Sequence, residues 1–441
     1  MTNSIAENDS AQDQGRHRIL LVGLSIVVLI WYIAMWSVGL LGCWTARKRY
    51  RSRPNPTPSL VPTTLPSSAP GVSILRPLKG LDANLSENLE SSFKQDYPNF
   101  EILLSVADEH DKALPIVHGL LEKYPNVNAR VIIGEEQVGV NPKVNNLMRS
   151  YNEAAHDILW VLDSNVAVVP GALARAVDIL SRPSSHPNPS WRRIALVHHV
   201  PFAISSRATF GARLEEAFLN TNHAKMYIAV NAAAVDSCVM GKSNLFRRSD
   251  LERLDGSLVR QQYHDSRQGL GLAMFARFLA EDNMIGLALW HELDLRHDLS
   301  YDVAYNALGD MRFSDYVWRR VRWIRVRKPI TLVATSLEPF TESVMLGAIV
   351  ATTMRYLIGM PIQLFLPVHF LLWTLVDLDV YASLAGYSLP SSKRWSFLVA
   401  WLVRELLAFP IWILGIIGNE VEWRGRRYKV LQNGEAERVP M

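Results

Sequence analysis

Two charged segments in the second half of the chain contain the residue types that group transfer needs. An acidic pair, Glu281-Asp282, stands where an apolar helical run from Met284 to Trp290 begins. A carboxylate at a helix N-terminus interacts with the positive end of the helix dipole and therefore stays ionised readily. The cationic segment Arg319-Arg320-Val321-Arg322-Trp323 follows, and a guanidinium cluster suits a phosphorylated leaving group. Together they predict transfer from a diphosphate-activated donor, with one carboxylate as the proton acceptor.

The composition indicates a membrane-associated protein of two or three domains. The 441 residues are 49% hydrophobic and only 20% charged, and the net charge of +4 comes mostly from basic clusters beside apolar segments. Such clusters suit an anionic membrane surface better than nucleic acid, so no nucleic-acid partner is expected. The two cysteines, Cys43 and Cys238, indicate neither a disulfide framework nor a cysteine-based zinc site.

The first seventy residues are predicted to hold the chain on a membrane. Residues 1–18 are polar at their start, and we expect a disordered luminal tail there. Residues 19–44 are apolar and exceed the ~20 residues that span a bilayer, which predicts a retained transmembrane anchor. Basic residues open the Pro-rich linker 45–70, so the positive-inside rule puts the linker and the following domain in the cytosol.

Residues 71–313 predict a parallel α/β sheet, because short apolar strands alternate with helical segments. Ligands on such sheets bind beyond the carboxyl ends of the strands, where the sequence has Asp108 and Asp163. Carboxylates there suit a ribose hydroxyl and a metal-bound diphosphate, respectively. Exposed polar loops are predicted at Ser181 to Arg193 and, shortly before the acidic pair, at Asp255 to Gly269.

The last third of the chain predicts further membrane contact. Residues 314–330 form a basic helix capped by Ser314, which suits both the membrane surface and a catalytic role for its arginines. Residues 331–420 contain three apolar stretches, about Ser343 to Met360, Pro361 to Val376 and Phe397 to Ile417. The basic tail 421–441 should be cytosolic like the catalytic domain, which requires an even number of spans between them. One stretch must therefore be interfacial or re-entrant, and the middle stretch is the weakest candidate span.

The acidic and basic positions also resemble a known signature. Asp108, Asp163, Asp282 and Arg319-x-x-Arg322-Trp323 follow the order of the D, D, D, (Q/R)xxRW signature of membrane-bound inverting glycosyltransferases. Local sequences narrow the resemblance to the ceramide glucosyltransferase family, and it extends from about Pro70 to Glu435. The matching segments are Pro70 to Gly80, Gln95-Asp96-Tyr97-Pro98, Gly139 to Leu147, Asn222-His223 through Gly241, and Trp423 to Tyr428.

The resemblance implies a GT-A catalytic domain that faces the cytosol at Golgi or nearby membranes. It implies inverting transfer of glucose from UDP-glucose to the primary hydroxyl of ceramide, with a divalent cation, Mg²⁺ or Mn²⁺, as cofactor. Asp282 would be the general base and Asp163 the metal ligand. The implied substrate-binding residues are Pro77, Lys79, Asp108, Lys143, His223, Arg319, Arg322 and Trp323. Without the resemblance, a lone helical histidine such as His223 would be read as structural.

Other readings of the same residues stay open. Asp163-Ser164-Asn165 lacks the second Asp of a DxD motif, which leaves metal affinity and identity undecided. A processive polysaccharide synthase of the hyaluronan, chitin or cellulose type shares the signature, but usually has Gln in place of Arg319 and more C-terminal spans. A transferase using another sugar or a sterol-like acceptor, or a non-catalytic membrane lipid-binding scaffold, is a further alternative. The scaffold would be expected to lack an acidic position, yet all are present.

Overall fold

The structure, a computed structural model, describes residues 2–62, 68–183, 192–205, 209–258 and 271–440, with side chains from residue 13 onward. The two predicted polar loops fall largely on residues 184–191 and 259–270, outside the described residues.

The helices are α1 (Thr2–Tyr50), α2 (Leu85–Phe93), α3 (Leu114–Lys123), α4 (Pro142–Glu153), α5 (Ala172–Leu180), α6 (Phe210–Phe218), α7 (Ala224–Ala233), α8 (Arg248–Glu252), α9 (Glu281–His291), α10 (Phe313–Arg327), α11 (Leu332–Leu337), α12 (Ser343–Ile358), α13 (Ile362–Ala385) and α14 (Arg394–Ile417). The strands are β1 (Val72–Leu78), β2 (Phe100–Val106), β3 (Ala129–Ile133), β4 (Ile158–Leu162), β5 (Val166–Ala167), β6 (Ile194–Ser205), β7 (Ser243–Arg247), β8 (Arg296–Leu308), β9 (Glu420–Trp423), β10 (Arg426–Val430) and β11 (Ala436–Arg438).

The α/β part of the chain is built on one eight-stranded sheet in the order β3-β2-β1-β4-β7-β6-β8-β5. Strands β3, β2, β1 and β4 are parallel, and β1 and β4 are buried along their whole length. Continuous apolar runs of this kind are typical of strands covered on both faces. One buried cluster packs α2, α3 and α5 against the sheet, and a second packs α4 and α9 against it. The predicted α/β class is confirmed.

Strand β7 corrects the prediction of a purely parallel sheet. It runs antiparallel to both β4 and β6, with Leu162 opposite Ser243. Its first residues therefore lie at the carboxyl end of β4, and the backbone N–H of Asp163 donates to the carbonyl of Lys242 at 3.1 Å. The reversed strand brings the loop before it to the edge of the sheet where ligands bind.

Helix α1 is longer than the predicted anchor 19–44 at both ends. It begins at Thr2, so the predicted disordered tail is helical here, and it continues through the basic residues into the predicted linker. These residues also contact protein: Arg47 and Arg51 pair with Asp379 of α13, and Arg49 pairs with Asp298 at 2.9 Å. Much of the charge assigned to a membrane surface instead joins the anchor helix to the rest of the chain.

The C-terminal helices differ in length from the predicted apolar stretches. Within the described residues, three helices are long and apolar enough to cross a membrane: Asp13–Tyr50, Ile362–Ala385 and Ser391–Ile417. The predicted N-terminal and C-terminal membrane helices are thereby confirmed as to length and composition. The middle stretch, taken as the weakest span, belongs to the 24-residue α13, whereas α12 has only 16 residues. Asp377 does not end α13, because its carboxylate is buried beside Lys225 of α7 at 2.7 Å.

Candidate active site

A cleft of about 410 Å³ opens at the carboxyl ends of β1 and β4 and reaches the N-terminus of α9 and one face of α10. Helix α7 and the turn between β9 and β10 complete its wall. The predicted site residues that line it are Pro77, Lys143, Asp163, His223, Asp282, Arg319, Arg322 and Trp323. The predicted base, the predicted metal ligand and most of the predicted substrate contacts therefore share one cleft.

Helix α4 begins at the cleft and fixes Lys143 in its first turn. The Asn141 side chain caps the helix, accepting hydrogen bonds from the backbone N–H groups of Lys143 at 2.8 Å and Val144 at 3.3 Å. Pro142 occupies the first helical position, where the missing N–H costs no hydrogen bond. This Asn-Pro start explains why the Lys143 side chain is held at the sheet edge.

Lys143 joins the strand-end carboxylate to the acidic pair. Its Nζ lies 2.9 Å from Asp163 Oδ1 and 2.9 Å from Glu281 Oε1, and it donates to the Gly241 carbonyl at 3.1 Å. Burial disfavours the ammonium charge, but the charges of Asp163, Glu281 and Asp282 outweigh burial and raise the pKa of Lys143. Lys143 is therefore a permanent cation in the cleft.

Asp163 contacts a second ammonium group that the sequence did not predict. Lys242 Nζ lies 2.9 Å from Asp163 Oδ2 and 3.0 Å from Asn165 Oδ1, because the antiparallel β7 starts beside the end of β4. Burial opposes ionisation, yet Lys143 and Lys242 together hold the pKa of the Asp163 carboxyl well below its usual range. Asp163 is thus a carboxylate at any physiological pH, with a lysine at each oxygen.

The two members of the acidic pair have different surroundings at the start of α9. Glu281 is buried and engaged, with Lys143 at one oxygen and the Asn141 amide donating to the other at 2.8 Å. Among the described residues, no cationic side chain forms an ion pair with Asp282, which lines the cleft directly. The expectation that a carboxylate at this helix N-terminus ionises readily is wrong for Asp282, because burial, followed by the neighbouring Glu281 charge, raises its pKa to about 7. A carboxylate with such a pKa is suited to accept a proton at neutral pH.

Helix α10 presents one basic and aromatic face to the cleft. Arg319, Arg322, Trp323 and Val326 are spaced by three and four residues, so they share a helix face, and all line the cleft. The helix starts after Arg312, whose backbone N–H donates to Asp315 at 2.8 Å, rather than at the predicted cap Ser314.

The two cleft arginines of this face, Arg319 and Arg322, differ in their contacts. Arg319 Nε lies 2.8 Å from Glu215 Oε1, with its guanidinium over the Trp323 ring. Burial and then the charge of Arg319 lower the pKa of Arg322 to about 10, so Arg322 remains a cation at neutral pH.

His223 lies beside Trp323 of the basic face, in a group of aromatic rings. It ends a π-helical turn, Leu219–His223, inserted between α6 and α7, and such turns often occur at functional sites. Its ring stacks on Tyr227 with 5.7 Å between centroids and lies 6.0 Å from the Trp323 ring. Burial, then nearby arginines, lowers the pKa of His223 to about 3, so the imidazole is neutral. The structure supports a substrate contact over an acid–base role.

Asp108 and Lys79 are not among the residues that line the cleft. Asp108 follows β2, but its side chain is 68% exposed and accepts a hydrogen bond from the backbone N–H of His110 at 2.6 Å. This is the local Asx turn that an aspartate after a strand commonly forms. Burial and then the charges of Arg424 and Arg426 lower the pKa of Lys79, and of these two arginines Arg424 lines the cleft.

Several cleft residues were missed by sequence reasoning. Lys242 follows the matched segment that ends at Gly241, and its position depends on the direction of β7. Glu281 was identified only as a member of the acidic pair, without a role of its own. In the structure it forms an ion pair with Lys143 and thereby holds that side chain. Trp423 and Arg424 belong to a segment predicted as a basic tail, yet they line the cleft. The Arg424-Gly425 step between two alternating segments was a hairpin signal that could have revealed them.

The sheet and the cleft together define a class of enzyme. A buried carboxylate with a raised pKa shares a cleft with a guanidinium cluster at the carboxyl edge of an α/β sheet, and apolar helices lie at both ends of the chain. This is the arrangement of a membrane-associated GT-A glycosyltransferase. Residues 27–436 match the model of glycosyl transferase family 21, and the chain belongs to that family.

Curated relatives agree with the family assignment over most of the chain. A ceramide glucosyltransferase of Komagataella phaffii is 36% identical over 94% of this chain and 92% of the relative. A ceramide glucosyltransferase of Candida albicans is 33% identical over 84% of this chain and 88% of the relative. Among solved structures, the mannosyltransferase PcManGT from Pyrobaculum calidifontis in complex with GDP-Man and Mn²⁺ matches with a TM-score of 0.44 at 18% identity, covering 89% of this chain and 98% of that chain.

Proposed function

We propose that this protein transfers glucose from UDP-glucose to the primary hydroxyl of ceramide, with inversion at the anomeric carbon. The observation that supports this most directly is that Asp282 and Arg322 line one cleft. Asp282 is the proposed base, Arg322 is the proposed cation, and the two side chains do not form an ion pair with each other. The curated relatives named ceramide glucosyltransferase support the choice of sugar and acceptor.

Inverting transfer needs one base, which Asp282 supplies. Its carboxylate accepts the proton of the ceramide hydroxyl as the oxygen attacks the anomeric carbon of glucose. The bond between that carbon and the diphosphate oxygen breaks on the opposite face, so the α-linkage of the donor becomes β in the product. Glu281 cannot replace Asp282 readily, because Lys143 and Asn141 already occupy its oxygens.

The departing UDP gains negative charge that fixed cations must stabilise. Arg322 on α10 and Lys143 on α4 lie on two sides of the cleft. Charges that are held in position before the reaction cost no reorganisation when the leaving-group charge develops. Trp323 and His223 offer aromatic and neutral surfaces, which suit the sugar and the acceptor better than the diphosphate.

A divalent cation, Mg²⁺ or Mn²⁺, is part of the proposal, with Asp163 and Asn165 as the residues that would hold it. Among the described residues, no group of three or more His, Cys, Asp and Glu side chains is arranged to hold a metal ion. An ionised carboxylate with an adjacent amide oxygen still fits, since Mg²⁺ at nucleotide sites commonly takes one or two protein oxygens and completes its shell with phosphate and water. When bound, the ion would neutralise the diphosphate. Lys143 and Lys242 keep Asp163 ionised, but they also contact both of its oxygens, and Lys242 contacts the Asn165 oxygen. A bound ion would therefore take the place of at least one of these ammonium contacts.

The membrane helices suit an acceptor that is dissolved in lipid. We place the catalytic domain on the cytosolic face of Golgi or nearby membranes, as the basic residues after the anchor favour. Helices α1, α13 and α14 would then hold the cleft close to the bilayer, where a ceramide hydroxyl can reach Asp282. The path of the ceramide is short in this arrangement, and the lipid chains need not leave the membrane.

The test is product formation from labelled UDP-glucose and ceramide by purified protein in detergent–lipid micelles, with and without chelator. We expect a single-sugar ceramide product that Asp282→Asn eliminates while UDP binding is retained, and reduced turnover with chelator. Turnover retained by Asp282→Asn would disprove the base assignment. A lengthening polysaccharide independent of ceramide would favour a processive synthase, and no product from either acceptor would disprove the proposed function.

A further inference from the structure

We propose that the C-terminal three-stranded sheet is a wall of the donor site, and that Arg424 in its first hairpin binds the diphosphate of the nucleotide sugar. This inference rests on the proposed function and extends it to a segment predicted from sequence to be a cytosolic tail. Strands β9, β10 and β11 form a separate antiparallel sheet in the order β11-β10-β9. Trp423 and Arg424, at the turn between β9 and β10, line the cleft that contains Asp282.

The hairpin turn has an unusual residue at the position that faces the cleft. Trp423 pairs with Arg426, so the loop between the strands is Arg424-Gly425. Both loop residues have positive φ, 52° for Arg424 and 74° for Gly425, as two-residue hairpins of the I′ type require. The first position usually holds Asn, Asp or Gly, because a larger side chain is strained there. An arginine in this conformation, at the edge of a cleft, points to a binding role.

The sheet is fixed to both halves of the active site, so Arg424 is not on a free tail. On one side, Arg325 of α10 donates to the Glu420 carbonyl at 2.6 Å. On the other side, Arg277 pairs with Glu435 at 2.9 Å, a few residues before the acidic pair. Buried Tyr428 of β10 shares an apolar cluster with α10 and with the residue before Glu281; its buried members are Ala280, Val326, Val421, Tyr428 and Val430. The sheet therefore connects the basic helix to the segment that bears the base.

Arg424 also adds to a group of cations that lack acidic partners. Arg424 lines the same cleft as Arg322. Its charge is the largest cause after burial of the lowered pKa of Lys79, and a smaller cause of the lowered pKa of Arg322. Within the described parts of the chain, none of these three cations forms an ion pair with a carboxylate. Carboxylates act on two of them only from a distance, Glu215 on Arg322 and Glu135 and Asp111 on Lys79. Positive charge without a contacting carboxylate attracts an anion. A diphosphate bound there would satisfy Arg424 and Arg322 together, and guanidinium groups can bind phosphate oxygens bidentately.

A phosphate group could come from the nucleotide or from an anionic lipid headgroup. We assign it to the nucleotide, because Arg424 lines the same cleft as Asp163 and Asp282. The experiment is therefore made first in nanodiscs of phosphatidylcholine alone, and then repeated with phosphatidylserine present. The dissociation constant of UDP is measured by calorimetry, independently of turnover.

Three variants of the full-length protein separate binding from folding. Arg424→Asn keeps a residue that tolerates positive φ, Arg424→Lys keeps the charge, and Arg427→Asn is an exposed control on the same hairpin. In phosphatidylcholine, we expect Arg424→Asn to weaken UDP binding at least tenfold without changing the melting temperature of the free protein. Arg424→Lys should recover part of the loss, and Arg427→Asn should bind UDP like the wild type.

Equal UDP affinity in Arg424→Asn and Arg427→Asn would overturn the assignment, as would an effect seen only with phosphatidylserine. Because binding is measured apart from product formation, the two proposals fail separately. Wild-type protein that makes glucosylceramide while Arg424→Asn binds UDP normally would disprove only the role of Arg424. Wild-type protein that binds UDP through Arg424 but forms no glucosylceramide would support that role and disprove the proposed acceptor reaction.

Discussion

Gly241 lies directly against the carboxylate of Asp282. A Cβ at position 241 would stand 2.8 Å from Asp282 Oδ2 and 2.9 Å from its Cγ, closer than non-bonded carbon atoms approach. The Gly241 carbonyl also accepts the hydrogen bond from Lys143. Glycine is therefore required here by close approach, and not by its backbone conformation.

Gly241→Ala should lower kcat strongly, because Asp282 must move away from the acceptor hydroxyl. A displacement of about 1 Å at a reacting group can cost about a hundredfold in rate. Gly119→Ala is the matched control, since nothing lies within 4 Å of a Cβ built there. We expect that control to keep full activity, as measured with labelled UDP-glucose. Equal activities for the two variants would show that Asp282 does not need its observed position.

The pKa of Asp282, raised to about 7, predicts the pH dependence of the reaction. The base works only when ionised, so kcat/KM should fall about tenfold for each pH unit below that pKa. Glu281→Gln removes the second-largest cause of the raised pKa, so the acidic limb of the profile should move to lower pH. Burial, the largest cause, remains, and the limb should not reach the value of a free aspartate.

The control for this shift is Glu437→Gln, an exposed position on β11, which should leave the profile unchanged. The profile is measured as kcat/KM between pH 5 and 9 in the same micelles. An acidic limb that stays in place in Glu281→Gln would contradict the electrostatic coupling of the pair. A wild-type profile without any acidic limb would contradict Asp282 as the base.

The two acidic residues predicted at strand ends, Asp163 and Asp108, have different surroundings for a physical reason. β4 is the central parallel strand beside which β7 reverses direction, so Asp163 at its end meets Lys143 and Lys242. β2 lies two strands away from β4, and Asp108 at its end forms a local turn with His110. The spacing of apolar residues identifies both strand ends, but it does not give the strand order, which decides where a ligand binds.

The C-terminal helices show a second limit of sequence reasoning. The predicted apolar stretch Pro361 to Val376 stops just before Asp377, and an unpaired carboxylate is costly in an apolar environment. In the structure Asp377 is paired with Lys225, 152 positions earlier, and accepts a hydrogen bond from Trp401 at 2.8 Å. The partner that makes the carboxylate tolerable is remote in sequence, so local composition could not reveal that α13 continues to Ala385.

Arg322→Ala should reduce kcat by about a hundredfold, or about 3 kcal/mol of transition-state stabilisation, the typical cost of removing one fixed group from a developing anion. Binding of ceramide should change little, because Arg322 faces the proposed diphosphate. Ser314→Ala on the same helix is the control, since Ser314 is exposed and does not cap α10. Its activity and melting temperature should match the wild type. Unchanged kcat in Arg322→Ala would instead favour a purely structural or interfacial helix.

The lengths of the C-terminal helices predict how the chain crosses the membrane. At 1.5 Å per residue, the 16 residues of α12 span about 24 Å, less than the ~30 Å hydrocarbon core, whereas the 24 residues of α13 and of α14 span about 36 Å. We therefore propose that α13 and α14 cross the bilayer and that α12 does not. Two crossings return the tail to the side of the membrane where the catalytic domain lies. This satisfies the requirement for an even number of spans between the domain and the tail.

Cysteine labelling in sealed vesicles that expose the cytosolic face tests this topology. Tyr387 lies between α13 and α14 and is 57% exposed, and Arg427 lies on the C-terminal sheet. Arg427→Cys should react with an impermeant maleimide in intact vesicles, whereas Tyr387→Cys should react only after permeabilisation. The wild type, with Cys43 buried and Cys238 half-buried, gives the background. Labelling of Tyr387→Cys in intact vesicles would contradict the two proposed crossings. Labelling of Arg427→Cys in the same vesicles would then show that the α13–α14 pair turns back, whereas its protection would show that α12 also crosses.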